Sequence, residues 1–221
     1  MNILALDSST EACSAALLRD DGEVFGCFEI APRQHTRLLP EMMNQVLRES
    51  AIDKSRLNYC AFANGPGAFT GIRIAAAQAQ GIGIGLGIPL LTVSTLATLA
   101  QVGLDRGDCS NVLVALDARM NEIYWAVYER DDSGCARVRG SEGLSTLEEI
   151  SIDADIESGA GHGWLPELSA RVDFAVDSEL LPDARAMLKL AVRAVANDLA
   201  VGAGEASINY LRNRVAEKAR A

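Results

Sequence analysis

The sequence predicts an α/β protein built from two related half-domains, and three features of its pattern carry that prediction. A short apolar run ending in an acid, Asn2 to Asp7, returns about 110 residues later as Asn111 to Asp117, with Leu6-Asp7 matched by Leu116-Asp117. A second apolar run follows each copy, Ala12 to Leu18 in one and Glu122 to Glu129 in the other. An acidic turn comes next: Asp20-Asp21-Gly22 first, then Asp131-Asp132-Ser133-Gly134, one residue longer. Recurrence at such a period marks duplicated supersecondary units. The join falls near residues 95 to 110, giving half-domains of residues 1–102 and 103–221.

The elements follow in order. The polar segment Ser8-Ser9-Thr10-Glu11 between two apolar runs predicts a hairpin, and Val24 to Ile30 a third strand. Between His35 and Ser50, apolar residues at Leu38, Leu39, Met42, Met43, Val46 and Leu47 have helical spacing. Leu57 to Ala63 reads as a strand, Thr70 to Leu86 as a helix with Thr70 as its cap, and Ile88 to Val93 as another strand. Ser94 is a suitable N-cap for the helix after it. The second half is less legible. Asp155 to Gly161 reads as a short strand, and Pro182 to Val201 as a long amphipathic helix with Pro near its start. Three strands followed by alternating helices and strands, twice over (βββαβα in each half), is the order of the actin-like, Hsp70-type ATPase superfamily (ASKHA) fold.

Composition narrows the function. About half of the 221 residues are apolar, enough for a sizeable core, and the formal net charge is −10. An acidic chain is poorly suited to hold a polyanion, so any contact with RNA is expected to be indirect. Cys13, Cys27, Cys60, Cys109 and Cys135 form no CxxC pair and read as small buried apolar residues. The start MNILALD has no basic segment before its apolar run, and turn formers or charges break every longer apolar stretch, so a soluble, cytoplasmic chain without a membrane span is expected. The two histidines, His35 and His162, make no HxxxH or HExxH pair, and no Ser or Cys stands in a GxSxG elbow. No catalytic residue and no metal site are expected.

Two segments could carry chemistry. Asp7-Ser8-Ser9-Thr10 resembles a phosphate-cradling turn, in which short side chains let backbone amides approach an anion. The alternative is an aspartate closing a strand-end turn. Its counterpart, Asp117-Ala118-Arg119-Met120-Asn121-Glu122, has no glycine and carries Met and Glu where close approach is needed. Gly65-Pro66-Gly67-Ala68-Phe69-Thr70-Gly71, ahead of a helix, suits either an anion at a helix N-terminus or a turn packing helix on sheet. Asp7, Ser8, Ser9, Thr10, Gly65 and Gly67 are therefore the candidate, half-degraded nucleotide loop. In the helix that follows, Ala77, Gly81 and Gly85 form a strip of small residues at spacing four, open to a partner helix or to the chain's own core.

The segments NILALDSSTEACSAAL, PRQHTRLLPEM, NGPGAFTGIRIAAAQAQGIGIGLGIPLLTVSTL, ALDARMNEIYWAVY and NYLRNRVA together closely resemble the TsaB (YeaZ) family, across essentially the whole chain. GPGAFTGIRI is the most specific and is shared in part with the catalytic paralogue TsaD. The resemblance implies a non-catalytic pseudoenzyme subunit that pairs with TsaD and, with TsaE, forms the complex that moves threonylcarbamoyl to N6 of adenosine 37 in ANN-decoding tRNAs. It implies contact through the two helices of the first half, carried by Leu38, Leu39, Met42, Met43, Val46, Arg73, Ala76, Ala77, Gln80 and Ile84. It also implies a homodimer when alone, no intrinsic cofactor, and ATP or ADP at the boundary of the complex. A small-molecule kinase or ATPase of the actin-like superfamily is the competing reading, and the bulky second turn speaks against it.

Overall fold

The computed structural model describes residues 1–212, so the charged terminal segment, including the last part of NYLRNRVA, lies outside the described residues. In chain order the first half contains strands β1 Ile3–Asp7, β2 Ala12–Leu18 and β3 Val24–Ile30, helix α1 His35–Glu49 and strand β4 Tyr59–Ala63. Helix α2 Phe69–Leu86, strand β5 Leu90–Val93 and helix α3 Thr95–Arg106 complete it. The second half has β6 Asn111–Arg119, β7 Glu122–Arg130, β8 Ala136–Thr146, β9 Ser158–Ala160, α4 Pro166–Ser169, β10 Ala175–Asp177 and α5 Ala184–Ala196, and departs from the expected βββαβα order in having only the short 3-10 turn Leu147–Glu149 where the first half has α1. The first sheet runs β3-β2-β1-β4-β5 and the second, read from its other edge, β8-β7-β6-β9-β10. In each, an antiparallel meander continues into parallel strands. This is the actin-like fold that the repeat predicts.

The alternation of β1 shows how the layers stack. Ile3 and Ala5 face a central core with Leu91, Val112, Val114, Leu99 and Met187, while Leu4 and Leu6 face a second core under α1 and α2. Both faces of the strand are covered, which is why it reads as one continuous apolar run. Helices α3 and α5 lie in the central core, each in contact with the sheet of the other half as well as with one another. A third, thinner cluster of Leu113, Ala115, Ile123, Trp164 and Leu168 covers the outer face of the second sheet.

Several boundaries differ from the sequence reading. Thr70 is not the cap of α2: the helix begins at Phe69 with Ala68 in the cap position, and no side chain bonds its first amides. Ser94 does cap α3, accepting from the Ala97 N–H. The long terminal helix stops at Ala196, because Asp198 adopts a left-handed φ of 57° and Val201 turns back to pair with Leu90. The strand read from Leu57 begins at Tyr59, since Leu57 closes a short turn by donating to the Lys54 carbonyl. The strand read over Asp155 to Gly161 keeps only Ser158–Ala160.

Candidate functional site

The turn after β1 is closed by its own groups. Asp7 Oδ1 accepts from the Ser9 N–H at 2.8 Å and from the Ser9 hydroxyl at 2.6 Å. The Ser8 hydroxyl donates to the Gly71 carbonyl at 2.9 Å, and the Ala68 N–H donates to the Ser9 carbonyl at 2.8 Å. A Cβ on Gly67 would overlap the Ser9 carbonyl, and one on Gly71 the Ser8 carbonyl. The glycines of GPGAFTG thus let one loop lie backbone to backbone on another. Gly65 has φ +104° and its carbonyl accepts from the Thr95 N–H, tying the same loop to α3. Asp7, Ser8, Ser9 and Thr10 are all buried. Burial pushes the Asp7 carboxyl up to about 6, against the lowering effect of its Ser9 hydrogen bonds, and its Oδ2 has no partner among the described residues.

The corresponding turn of the second half takes another route. Arg119, Met120 and Asn121 are three successive left-handed residues, and the Asp117 carboxylate accepts from the Arg119 N–H at 2.7 Å. Arg212 clamps this turn from the C-terminal segment, donating to the Ala118 carbonyl at 2.9 Å and pairing with Glu122 at 2.6 Å. His162 Nδ1 accepts from the Asp117 N–H at 3.1 Å, which leaves the ring proton on Nε2. That nitrogen faces the Glu11 carboxylate at 3.7 Å.

A cleft of about 750 Å³ separates the two turns, with Thr10, Arg33, Phe69, Arg73, Tyr124 and Tyr210 among its lining. Sequence reasoning placed none of Arg33, His162 or Arg212 there. His162 is flanked by Gly161, at φ +101°, and Gly163, both packed on the Ala115 backbone, and that glycine pair was the only available signal. Among the described residues, no group of three or more His, Cys, Asp or Glu could hold a metal ion.

The family model of TsaD, the tRNA N6-adenosine threonylcarbamoyltransferase, matches residues 28–221. A protein of Escherichia coli (strain K12) named tRNA threonylcarbamoyladenosine biosynthesis protein TsaB is 39% identical, over 99% of this chain and 97% of its own. The chain belongs to the TsaB (YeaZ) family. TsaB of Haemophilus influenzae is 34% identical over 99% of this chain and 96% of its own. The solved structure of YeaZ from Pseudomonas aeruginosa matches with a TM-score of 0.89 at 40% identity, covering 95% of this chain and 99% of that one.

In this TsaB-family chain, the residues expected to meet a partner divide by exposure. Leu38, Leu39, Met42, Val46 and Ala76 are packed in the core between α1, α2 and the first sheet. Met43, Arg73 and Gln80 are half-buried, Ala77 is exposed, and Ile84 is 74% exposed. A groove of about 430 Å³ runs along α1 and α2, with Met43, Leu47, Ala77, Gly81, Gly85 and Leu86 in its walls. A Cβ on Gly81 or Gly85 would meet nothing within 4 Å, so this strip is open rather than filled by the chain itself.

Proposed function

We propose that this chain is a non-catalytic subunit of tRNA threonylcarbamoyladenosine biosynthesis that pairs with TsaD, with TsaE joining the complex. One observation carries the reading. The Ser8 and Ser9 hydroxyls and the Ser9 amide, the donors a phosphate cradle would use, are bonded instead to Gly71 and Asp7. Such a turn holds a loop in place and has little left to offer a transferred group. The open strip Ala77, Gly81, Gly85 beside Met43 and Ile84 supports the partner half of the reading, because small residues let a second helix approach closely. The same strip would serve a homodimer when TsaD is absent. Nucleotide, in this reading, lodges at the boundary of the complex, and tRNA is held by the other subunits. The names of the relatives place the pathway.

Size-exclusion chromatography of the chain with its cognate TsaD tests this. A 1:1 complex that Ala77→Arg abolishes, with the variant still folded, is the expected result. Failure of the wild type to co-elute with TsaD, even with TsaE and ATP present, would remove the proposal. So would nucleotide turnover by the isolated chain that a point change abolishes.

A further inference from the structure

Strand β3 is an outer edge of the first sheet. Its ladder to β2 is bonded at both ends: the Arg19 N–H donates to the Glu23 carbonyl at 2.9 Å, and the Ala31 N–H to the Glu11 carbonyl at 3.0 Å. The register between these ends is unbroken, from Ala12 opposite Ile30 to Leu18 opposite Val24. Bonded pairs alternate along an antiparallel ladder, so Phe25, Cys27 and Glu29 turn their backbone groups towards β2. Val24, Gly26, Phe28 and Ile30 turn theirs outward, and those four N–H and four C=O groups have no partner among the described residues.

The same residues expose their apolar side chains. Val24 is 46% exposed, Phe28 36% and Ile30 60%, while Phe25 and Cys27, on the other face, pack against the core under α1. An open edge is ordinarily protected by charge, proline, a bulge or a covering segment. The corresponding edge of the second sheet, β8, carries Arg137 and Arg139, paired with Glu129, Asp153 and Asp155, and its register to β7 shifts between Trp125 and Val127. At the far edge of the first sheet, Val201 bridges to Leu90 of β5. From Val24 to Phe28, β3 has no charge, no proline and no bulge.

We propose that β3 docks the β3 of a second copy of this chain, antiparallel across a two-fold axis at Cys27. In that register Val24 stands opposite Ile30 and Gly26 opposite Phe28, and every outward N–H and C=O of both copies is bonded. An axis at Gly26 or at Phe28 leaves Ile30 or Val24 unbonded at its end. The edge is thus complementary to itself, as an interface between two identical copies must be. On the α5 face, the second copy's Phe28 lies beside the Arg185 stem that covers Gly26. On the α1 face, the second copy's Glu29 comes opposite Phe25, whose ring carries the Arg19 guanidinium at 5.2 Å, so an acid meets a cation on each side of the axis. This edge is separate from the Ala77, Gly81, Gly85 strip and does not depend on pairing with TsaD.

Amide hydrogen exchange of the full chain, resolved residue by residue by NMR and repeated over a range of protein concentrations, tests it. The Val24, Gly26, Phe28 and Ile30 amides are expected to exchange at least tenfold more slowly as concentration rises. Those of Phe25, Cys27 and Glu29, already bonded to β2, are expected to be protected throughout. Sedimentation velocity reads the same edge in an Ala77→Arg chain, whose α2 strip is closed, and a dimer is expected to remain. In that chain Phe28→Pro removes an outward N–H and leaves the β2 ladder whole, and Ile30→Lys sets a charge on the edge. Each is expected to weaken the dimer at least tenfold with the circular dichroism unchanged. Fast exchange of the four outward amides at every concentration overturns the proposal, as does an Ala77→Arg chain that stays monomeric. Folded Phe28→Pro and Ile30→Lys chains that pair undiminished overturn it as well. Protection of those amides only when TsaD is added overturns the second copy and gives the edge to a strand of that partner.

Discussion

The Ser8 hydroxyl donates to the backbone carbonyl of Gly71 at 2.9 Å, tying the turn after β1 to the first turn of α2 across a separation of 63 residues. The bond forms only because Gly71 has no side chain: a Cβ there would overlap the Ser8 carbonyl itself. The contact is therefore backbone against backbone, with no flexible side chain to yield.

Gly71→Ala is accordingly expected to destabilise the fold by about 3 kcal/mol or more, at the upper end of overpacking costs. Gly67→Ala, against the Ser9 carbonyl, should behave alike. Gly81→Ala is the contrast, since it is exposed on the same helix with open space around it, and should stabilise by up to about 1 kcal/mol through propensity. Urea denaturation midpoints of the three variants decide this, and a neutral Gly71→Ala would contradict the packing described.

Asp7 predicts a pH dependence. Its carboxyl is raised to about 6 in the fold against an ordinary 3.8, with burial as the main cause. The folded state therefore binds this proton more tightly than the unfolded state. Above pH 6 the buried charge weakens the fold, and stability from this group rises as pH falls from 6 towards 3.8, by about 3 kcal/mol in total. Asp131 responds in the opposite sense but outside this window. Desolvation raises it, yet hydrogen bonds from Ser133, Cys135 and Arg193 hold it at about 2, so its contribution is lost only below pH 3.8. The stability difference between wild type and Asp7→Asn, measured from pH 7 to pH 4, should shift in favour of wild type as pH falls. A flat difference would exclude the raised carboxyl.

The first half of the fold was legible because its signals are local. Leu38, Leu39, Met42 and Val46 repeat at helical spacing, and Ser94 caps as its chemistry suggests. The second half was not, because its copy of α2 has shrunk to Pro166–Ser169 and its last parallel strand to Ala175–Asp177, too short for a period to register. Val201 looks helical in sequence, and only the edge of β5 at Leu90, more than a hundred residues away, claims it. The candidate site was half legible. The Asp7 turn and the GPGAFTG loop stood out, but periodicity cannot show that each would consume the other's donors. Likewise an apolar stripe such as Leu38 to Val46 does not reveal whether a partner or the chain's own sheet covers it.

Glu142 joins parts of the chain that the sequence keeps apart. Its carboxylate accepts from the Ser94 hydroxyl, from the Tyr128 hydroxyl at 2.6 Å and from Asn209 Nδ2 at 3.3 Å. Burial and the neighbouring carboxylate keep the Tyr128 hydroxyl protonated, well above its ordinary range. Glu142→Ala would leave two hydroxyls short of an acceptor, a loss of about 1–3 kcal/mol, whereas Glu142→Gln retains an oxygen and should cost less. Because Asn209 is released, limited proteolysis between residues 198 and 208 should accelerate in Glu142→Ala. Cleavage there at the wild-type rate would show that the bonds to Leu90, Gln80 and Asn64 hold the segment without Glu142.

The α1–α2 surface separates folding from pairing. Met42 and Ile84 were both expected to meet a partner, but Met42 is 5% exposed inside the core under α1 while Ile84 is 74% exposed. Met42→Asp buries an unpaired carboxylate in an apolar cluster and should unfold the chain or lower its melting temperature sharply. Ile84→Asp changes only a solvated position, so its unfolding free energy should stay within about 0.5 kcal/mol of wild type. Its effect should appear in association instead, because an acid on the open strip beside Ala77 and Gly81 must be desolvated when a helix docks there. If the strip pairs as proposed, Ile84→Asp should lower self-association measured by sedimentation velocity and weaken binding to TsaD at least tenfold. A folded Ile84→Asp chain that still pairs with itself and with TsaD at wild-type affinity would move the docking surface off α2.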